Sequence, residues 1–319
     1  MTLLTYRSAA IDIEPGEDVL SALLRAEIDA PHSCRAGVCQ TCLHRAVEGA
    51  PPAAAQEGLT EAQKAQGYFL ACVCVPKTPL TVIPTDEAAA RSEVIVRAID
   101  RLSGDVARLY LEHGPDFSYR PGQFLELITP EGLGRHYSIA SVPEEDPHVE
   151  LHIRLHRGGR MSGFVSEQLS PGDRLHVAGP LGTCFYEGVD PGQPLTLVGA
   201  GTGLAPLMGI LRDALRRGHH GPIRLYHGAR ERAGLYLHDP LEALAAKREN
   251  FTYVPRALSD PGPEGGDVAA AVLEQELALK ETAFFLCGGE RLVGRLKRDL
   301  FMKGASLKQI RSDVFLAAN

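Results

Sequence analysis

Ser33-Cys34-Arg35-Ala36-Gly37-Val38-Cys39-Gln40-Thr41-Cys42 places three cysteines at the spacing C-x4-C-x2-C, and Cys72 follows with 29 residues between. This is the spacing of a [2Fe–2S] cluster, in which four thiolates hold two irons. A loop that serves a cluster must bend tightly enough for its sulfurs to converge while backbone N–H groups face the inorganic sulfides. Gly37 supplies a position without Cβ where the chain crowds the metal, and Ala36 keeps the loop thin. The candidate metal ligands are therefore Cys34, Cys39, Cys42 and Cys72.

Four cysteines can also hold zinc, but zinc sites usually pair two C-x2-C units and this chain has one. A disulfide framework is disfavoured by the odd count of seven cysteines in 319 residues. Cys74 competes with Cys72 as fourth ligand, because in an extended segment the two side chains point the same way. In plant-type ferredoxins, which the spacing resembles, the fourth ligand follows a short aliphatic run, and Phe69-Leu70-Ala71 precedes Cys72.

The length predicts two or three domains. The apolar fraction of 44% is ordinary for a globular chain, and the net charge of −7 argues against nucleic acid as the main partner. No apolar run approaches the ~20 residues that cross a bilayer, and Met1-Thr2-Leu3-Leu4-Thr5-Tyr6 lacks the form of a signal peptide. A cytoplasmic location with no membrane partner is the expectation.

Residues 1–85 form a first unit: a strand at Ala9–Ile13, a turn at Pro15-Gly16, a helix from Val19 capped by Asp18, the cysteine loop, a short helix begun by Thr60, and a closing strand at Leu80–Ile83. Pro51 to Ala55 is expected to be a surface loop, and Pro84 to Arg91 a linker. Glu93–Ile99 then alternates as a strand, and turn signals at Ser103-Gly104-Asp105, Pro121-Gly122 and Pro171-Gly172-Asp173 predict an antiparallel barrel over residues 92–190. From Pro191 to Asn319, apolar strands at Leu195–Val198, Ile223–His227 and Ala283–Cys287 alternate with helices, as in a parallel α/β sheet. The fold class is multi-domain α+β and α/β: a β-grasp unit, an antiparallel β-barrel, and a parallel α/β domain.

Two stretches carry further chemistry. Arg135-His136-Tyr137-Ser138 offers a cation for phosphate, a flat ring, and a hydroxyl for a reactive nitrogen, the three types a flavin site requires. His152-Ile153 lies on a nearby strand, and Gly159-Arg160-Met161-Ser162 opens a helix whose N-terminus suits a pyrophosphate. Gly199-Ala200-Gly201-Thr202-Gly203 lies between an apolar strand and a helix, where glycines let the backbone approach a dinucleotide. Ala205-Pro206 departs from the Rossmann fingerprint at its third position. Arg230 and Glu231 end the second strand, where the adenosine ribose is read. An acidic residue there favours a free 2′-hydroxyl and an arginine accepts a 2′-phosphate, so residue type alone leaves NADH and NADPH open.

These elements, in this order, resemble the ferredoxin–NAD(P) reductase superfamily, and the whole chain resembles its three-domain bacterial oxygenase reductases with an N-terminal plant-type ferredoxin, the type serving benzoate and naphthalene dioxygenases and soluble methane monooxygenase. The resemblance implies FAD as the flavin. It also implies that Thr202 reaches between flavin and nicotinamide, and that Cys287-Gly288-Gly289 is the turn setting a cysteine beside the nicotinamide carbon. Leu235-Tyr236-Leu237-His238-Asp239 resembles NADH-using members. Ile310-Arg311-Ser312-Asp313-Val314-Phe315 resembles the ending that sets a carboxylate and an aromatic near the flavin, although Asp313 replaces a glutamate and four residues follow Phe315. Ser138 and Cys287 are the implied catalytic pair.

Electron counting supports this order. A nicotinamide delivers two electrons at once and a cluster carries one, so a flavin must stand between them. The implied partners are NADH and an oxygenase component or its ferredoxin. Two other readings stay open: a reductase of another pathway, such as deoxysugar dehydration, and a redox sensor without catalysis.

Overall fold

The computed structural model describes residues 2–32, 35–37, 42–57, 59, 63–64, 66–84, 91–115 and 117–315. The chain divides into two compact units, Met1–Ala89 and Ala90–Asn319.

In the first unit a five-stranded sheet has the order β2-β1-β5-β3-β4, with β1 at Thr2–Tyr6, β2 at Ala9–Ile13, β3 at Leu43–Glu48, β4 at Tyr68–Leu70 and β5 at Leu80–Pro84. β1 and β2 form an antiparallel hairpin, and β5 returns parallel to β1. Helix α1, Val19–Arg25, begins where Asp18 accepts hydrogen bonds from the Ser21 N–H and hydroxyl at 2.9 and 2.8 Å, the cap expected from sequence. Its Val19, Leu20, Ala22 and Leu23 enter the core with Leu4 and Phe69. Each buried large side chain there contributes roughly 1.5–3 kcal/mol.

The structure departs from the sequence expectation at two places in this unit. Pro51 to Ala55 is not wholly surface: Ala53–Gln56 makes a 3-10 turn that seats Ala55, fully buried, in the core. The expected linker is shorter at both ends, because Pro84 closes β5 and Arg91 opens the next strand. The helix predicted from Thr60 falls largely outside the described residues.

The second unit starts with β6 (Arg91–Ser103), β7 (Val106–His113), β8 (Phe124–Ile128), β9 (Gly134–Ser138), β10 (Val149–Arg154) and β11 (Arg174–Leu181). They pair antiparallel in the order β10-β7-β6-β11-β8-β9. The edges β9 and β10 meet through an Ile139–Leu151 bridge, which closes the barrel. Leu109, Leu125, Leu151 and Val177 fill it.

A parallel sheet follows: β12 (Leu195–Ala200), β13 (Ile223–Ala229), β14 (Phe251–Ala257), β15 (Ala283–Gly289) and β16 (Ile310–Phe315), ordered β14-β13-β12-β15-β16. Strand residues alternate between two cores. Leu197, Leu225 and Phe285 pack beneath helices α3 (Leu204–Arg216) and α4 (His238–Lys247), while Val198, Tyr226 and Phe284 pack beneath α5 (Val268–Gln275) and α6 (Glu290–Met302). One further helical turn, α2 (Arg160–Gly163), belongs to the barrel and continues as a π-helical segment to Gln168. Helix α3 seats closely on the barrel: a Cβ at Gly209 would lie 3.1 Å from both the Gly122 nitrogen and the Ile139 carbonyl oxygen.

Candidate functional site

In the first unit, Cys42 and Cys72 bring their sulfurs to 3.2 Å. Cys34 and Cys39 lie outside the described residues. Gly37 adopts φ +70°, and a Cβ there would press on Val73 at 3.3 Å. Residues 71–73 form a 3-10 turn rather than extended chain. Cys72 and Cys74 therefore do not share a face. Cys74 is fully buried in the apolar core, where burial pushes its thiol up to about 12.

In the second unit the sheet order reverses direction between β12 and β15, and ligands of such sheets bind outside the strand ends at that switch. Both sequence motifs of this domain sit there. The turn Gly201–Gly203 leads from β12 into α3, and Cys287-Gly288-Gly289 ends β15. A Cβ on Gly203 would collide with the Cys287 carbonyl oxygen, so the two strand ends meet only because residue 203 lacks one. Gly199 is equally confined, its hypothetical Cβ 2.8 Å from the Gly203 oxygen. This bare backbone fits a dinucleotide.

Four side chains from separate elements converge beside it. Ser138, at the end of β9, is buried and donates to Asp313 Oδ2 at 2.9 Å. Asp313 stands opposite Cys287 in the β15–β16 register. Cys287 lies 3.8 Å, sulfur to sulfur, from Cys184, in the irregular segment after β11. Burial raises the Asp313 carboxyl to about 6, with the Ser138 hydroxyl pulling the other way. Burial also pushes the Cys287 thiol well up, and the neighbouring Cys184 adds to it.

On β9, Arg135 and Tyr137 share one face and are partly buried, while exposed His136 turns away to meet Phe124 edge-on at 5.3 Å. Burial raises the Tyr137 phenol to about 12. Met161 lies in the barrel core, and the Ser162 hydroxyl accepts from the His156 N–H at 2.8 Å. Gly159 stands just before this turn. Ile153 fills the barrel, whereas His152 on the opposite face points to the parallel-sheet domain. Its Nε2 lies 2.8 Å from Glu150 Oε1 and its Nδ1 3.1 Å from the buried Tyr236 hydroxyl. Glu150 can only accept, so Nε2 carries the hydrogen and Nδ1 takes the Tyr236 O–H. Thr202 is half-buried in its turn, Arg230 is exposed beyond β13, and Phe315 ends β16 opposite Gly289. Sequence reasoning missed Cys184, which stands in no motif, and the contact of Tyr236 with His152.

Three family models match in succession: a 2Fe-2S iron-sulfur cluster binding domain over residues 6–77, an oxidoreductase FAD-binding domain over 93–186, and an oxidoreductase NAD-binding domain over 197–297. The chain belongs to the ferredoxin–NAD(P) reductases that carry an N-terminal 2Fe–2S ferredoxin domain; it is an oxidoreductase of NADH, FAD and a [2Fe–2S] cluster. Its relatives include the reductase subunit of an aromatic O-demethylase from Amycolatopsis sp., 32% identical over 97% of each chain. Another is the reductase component of naphthalene 1,2-dioxygenase/salicylate 5-hydroxylase systems from Ralstonia sp., 33% identical over 96% of this chain and 95% of that one. Among solved structures, an Amycolatopsis cytochrome P450 reductase superposes with a TM-score of 0.70 at 30% identity, covering 99% of both chains. No helix among the described residues is long and apolar enough to cross a membrane.

Proposed function

We propose that this chain is the reductase component of a multicomponent oxygenase, delivering electrons from its cluster to an oxygenase component or to that component's ferredoxin. The observation that carries this reading is similarity over nearly the whole length to reductases named for such systems. We assign residues 1–85 to the ferredoxin domain, 92–190 to the FAD domain and 191–319 to the NAD domain.

Bound FAD accepts the two electrons of a hydride and passes them on singly. Arg135 supplies positive charge for its pyrophosphate, helped by the backbone at Gly159, Met161 and Ser162. Tyr137 lines the ring on the same face. His136, His152 and Ile153 complete the flavin-binding strands, His152 through its backbone, because its ring is engaged by Tyr236 and Glu150. Ser138, donating to Asp313, keeps oxygen lone pairs to accept a proton-bearing group as charge develops. Gly199, Gly201, Thr202, Gly203 and Gly288 cradle the nicotinamide dinucleotide, Cys287 bears on its reactive end, Arg230 stands at its ribose end, and Phe315 covers the flavin face. Cys34, Cys39, Cys42 and Cys72 hold the cluster, a reading supported by the convergence of Cys42 and Cys72.

The test is a chain beginning at Ala90, which keeps the whole of β6. It should bind FAD and reduce ferricyanide with NADH, yet fail to reduce cytochrome c efficiently or to drive a purified oxygenase. A shortened chain that drives the oxygenase at the full rate removes the ferredoxin domain from the exit path.

A further inference from the structure

Cys184 and Cys287 have no assigned joint role, yet both are free, nearly or wholly buried, and in contact at 3.8 Å. We infer that they are a modification site: a dithiol that hydrogen peroxide closes to an intramolecular disulfide, reversibly switching off hydride transfer.

The geometry favours closure over any other oxidation. A disulfide needs its sulfurs at about 2.05 Å, so the pair must approach by roughly 1.8 Å. Cys287 is fixed on β15, between β12 and β16. Cys184 is not in regular structure, and two residues before it Gly182 takes φ +85°. The movable partner therefore faces a fixed one. Any sulfenic acid formed on either residue has a resolving thiol already in contact, which blocks further oxidation.

The surroundings supply the rest. Cys287 sits at the end of β15 where the parallel sheet opens to its ligand and is wholly buried, while Cys184 keeps 3% of its surface exposed. Across the β15–β16 register Cys287 faces Asp313. The Arg311 guanidinium is held over Phe285 at 5.2 Å and donates to the Glu187 carbonyl at 2.8 Å. Burial keeps Cys287 a thiol at rest, and the burial of both sulfurs slows bulky alkylating agents more than a small neutral oxidant.

The chemistry balances. One thiol's sulfur attacks a peroxide oxygen. An S–O bond forms, the O–O bond breaks, and the departing hydroxide takes up the thiol proton and leaves as water. The second thiol then attacks the sulfenic sulfur: the S–S bond forms, the S–O bond breaks, and a second water leaves. Two thiols lose two electrons and one peroxide becomes two waters. Hydrogen peroxide is the oxidant that an NADH-driven reductase generates by reducing dioxygen when it lacks its acceptor, so closure would stop futile NADH consumption. The pairing stands on the sulfur geometry alone. Its effect on activity rests on the proposed place of Cys287 beside the nicotinamide.

The test uses the full-length holoprotein exposed to hydrogen peroxide, denatured with a thiol-blocking reagent, and digested for mass spectrometry without reductant. The expected result is a peptide linking residues 184 and 287, lighter by two hydrogens. NADH–ferricyanide activity, which bypasses the cluster, should fall at least about tenfold and return with dithiothreitol. Cys184→Ser, compared with its own activity before peroxide, should give no such peptide and show no dithiothreitol-reversible loss; Cys184→Ala covers the case in which a buried serine prevents folding. Finding both thiols blocked after peroxide treatment overturns the pairing. A linked peptide with undiminished activity overturns the switch and the proposed place of Cys287, while leaving the reductase reading intact.

Discussion

Sulfur meets sulfur twice in the described chain, and the two meetings are built differently. Cys42 and Cys72, 3.2 Å apart, belong to a small unit in which one is in the cysteine loop and the other in a tight turn. Cys184 and Cys287, 3.8 Å apart, come from an irregular segment after a barrel strand and from the end of a parallel strand. A cluster must be wrapped by neighbouring ligands, and three of the four proposed ones fall between Cys34 and Cys42 in the sequence. Hydride transfer must join two molecules held by two folds, and the residues proposed for it, Ser138, Cys287 and Asp313, stand on β9, β15 and β16. Local chemistry is written in residue spacing, and chemistry between domains is written in topology.

The largest effect should come from breaking the local site. Cys72→Ser should abolish or alter the visible cluster spectrum and cut NADH-driven cytochrome c reduction by about 100-fold or more, because cluster potentials and assembly depend on thiolate ligation. Ferricyanide reduction should persist. Cys74→Ser is the control: its spectrum should match the parent, although a buried hydroxyl costs about 1–3 kcal/mol of stability. An intact cluster in Cys72→Ser and a lost one in Cys74→Ser would exchange the two roles.

The hydride site should break more gently, since no single residue carries it. Ser138→Ala removes the hydroxyl proposed to meet developing charge and should slow flavin reduction by NADH about 10²-fold in stopped flow, with FAD retained. Release of FAD instead would make Ser138 a binding residue.

What sequence made legible follows the same division. The Asp18 cap and the glycine turn that enters α3 are local patterns, and each stands where sequence placed it, while most of the cysteine loop lies outside the described residues. The 3-10 turn that sends Cys74 into the core was invisible, because assuming extended chain puts Cys72 and Cys74 on one side. So was the burial of Ala55, in a stretch whose prolines and alanines resemble a loop. Cys184 had no signal: nothing near residue 184 indicates residue 287, and only the seating of the barrel on the parallel sheet joins them.

Asp313 allows the inter-domain site to be tested by pH. Its carboxyl is raised in the folded chain from the ordinary 3.8 to about 6. A raised acid binds its proton more tightly when folded, so its contribution is present in full below the unfolded value. That contribution is lost as pH rises through about 6, where burial of the charge opposes folding. Asp313→Asn should therefore melt higher than the parent at pH values well above 6 and show little difference below the ordinary carboxyl range. A melting difference independent of pH would mean that Asp313 is not buried as a titrating group.

The smallest effect should come from the seam beside the hydride site. Tyr236→Phe removes the hydroxyl that satisfies His152 Nδ1 at 3.1 Å and leaves Glu150 still paired to Nε2. An acceptor left unpaired in a buried place costs about 1–3 kcal/mol, or about 2–4 °C of melting temperature per kcal/mol in a unit of this size. Arg212, which pairs with Glu145 at 3.0 Å and Asp146 at 2.8 Å, also joins the two folds but does so at a part-exposed rim. Its loss should cost about 1 kcal/mol or less and depend on salt. Flavin reduction should slow only a few-fold in Tyr236→Phe, because Asp313 still holds Ser138 across the same junction. If Tyr236→Phe slows it as much as Ser138→Ala does, the seam sets the distance for hydride transfer, and the chemistry between domains depends on a hydrogen bond outside every sequence motif.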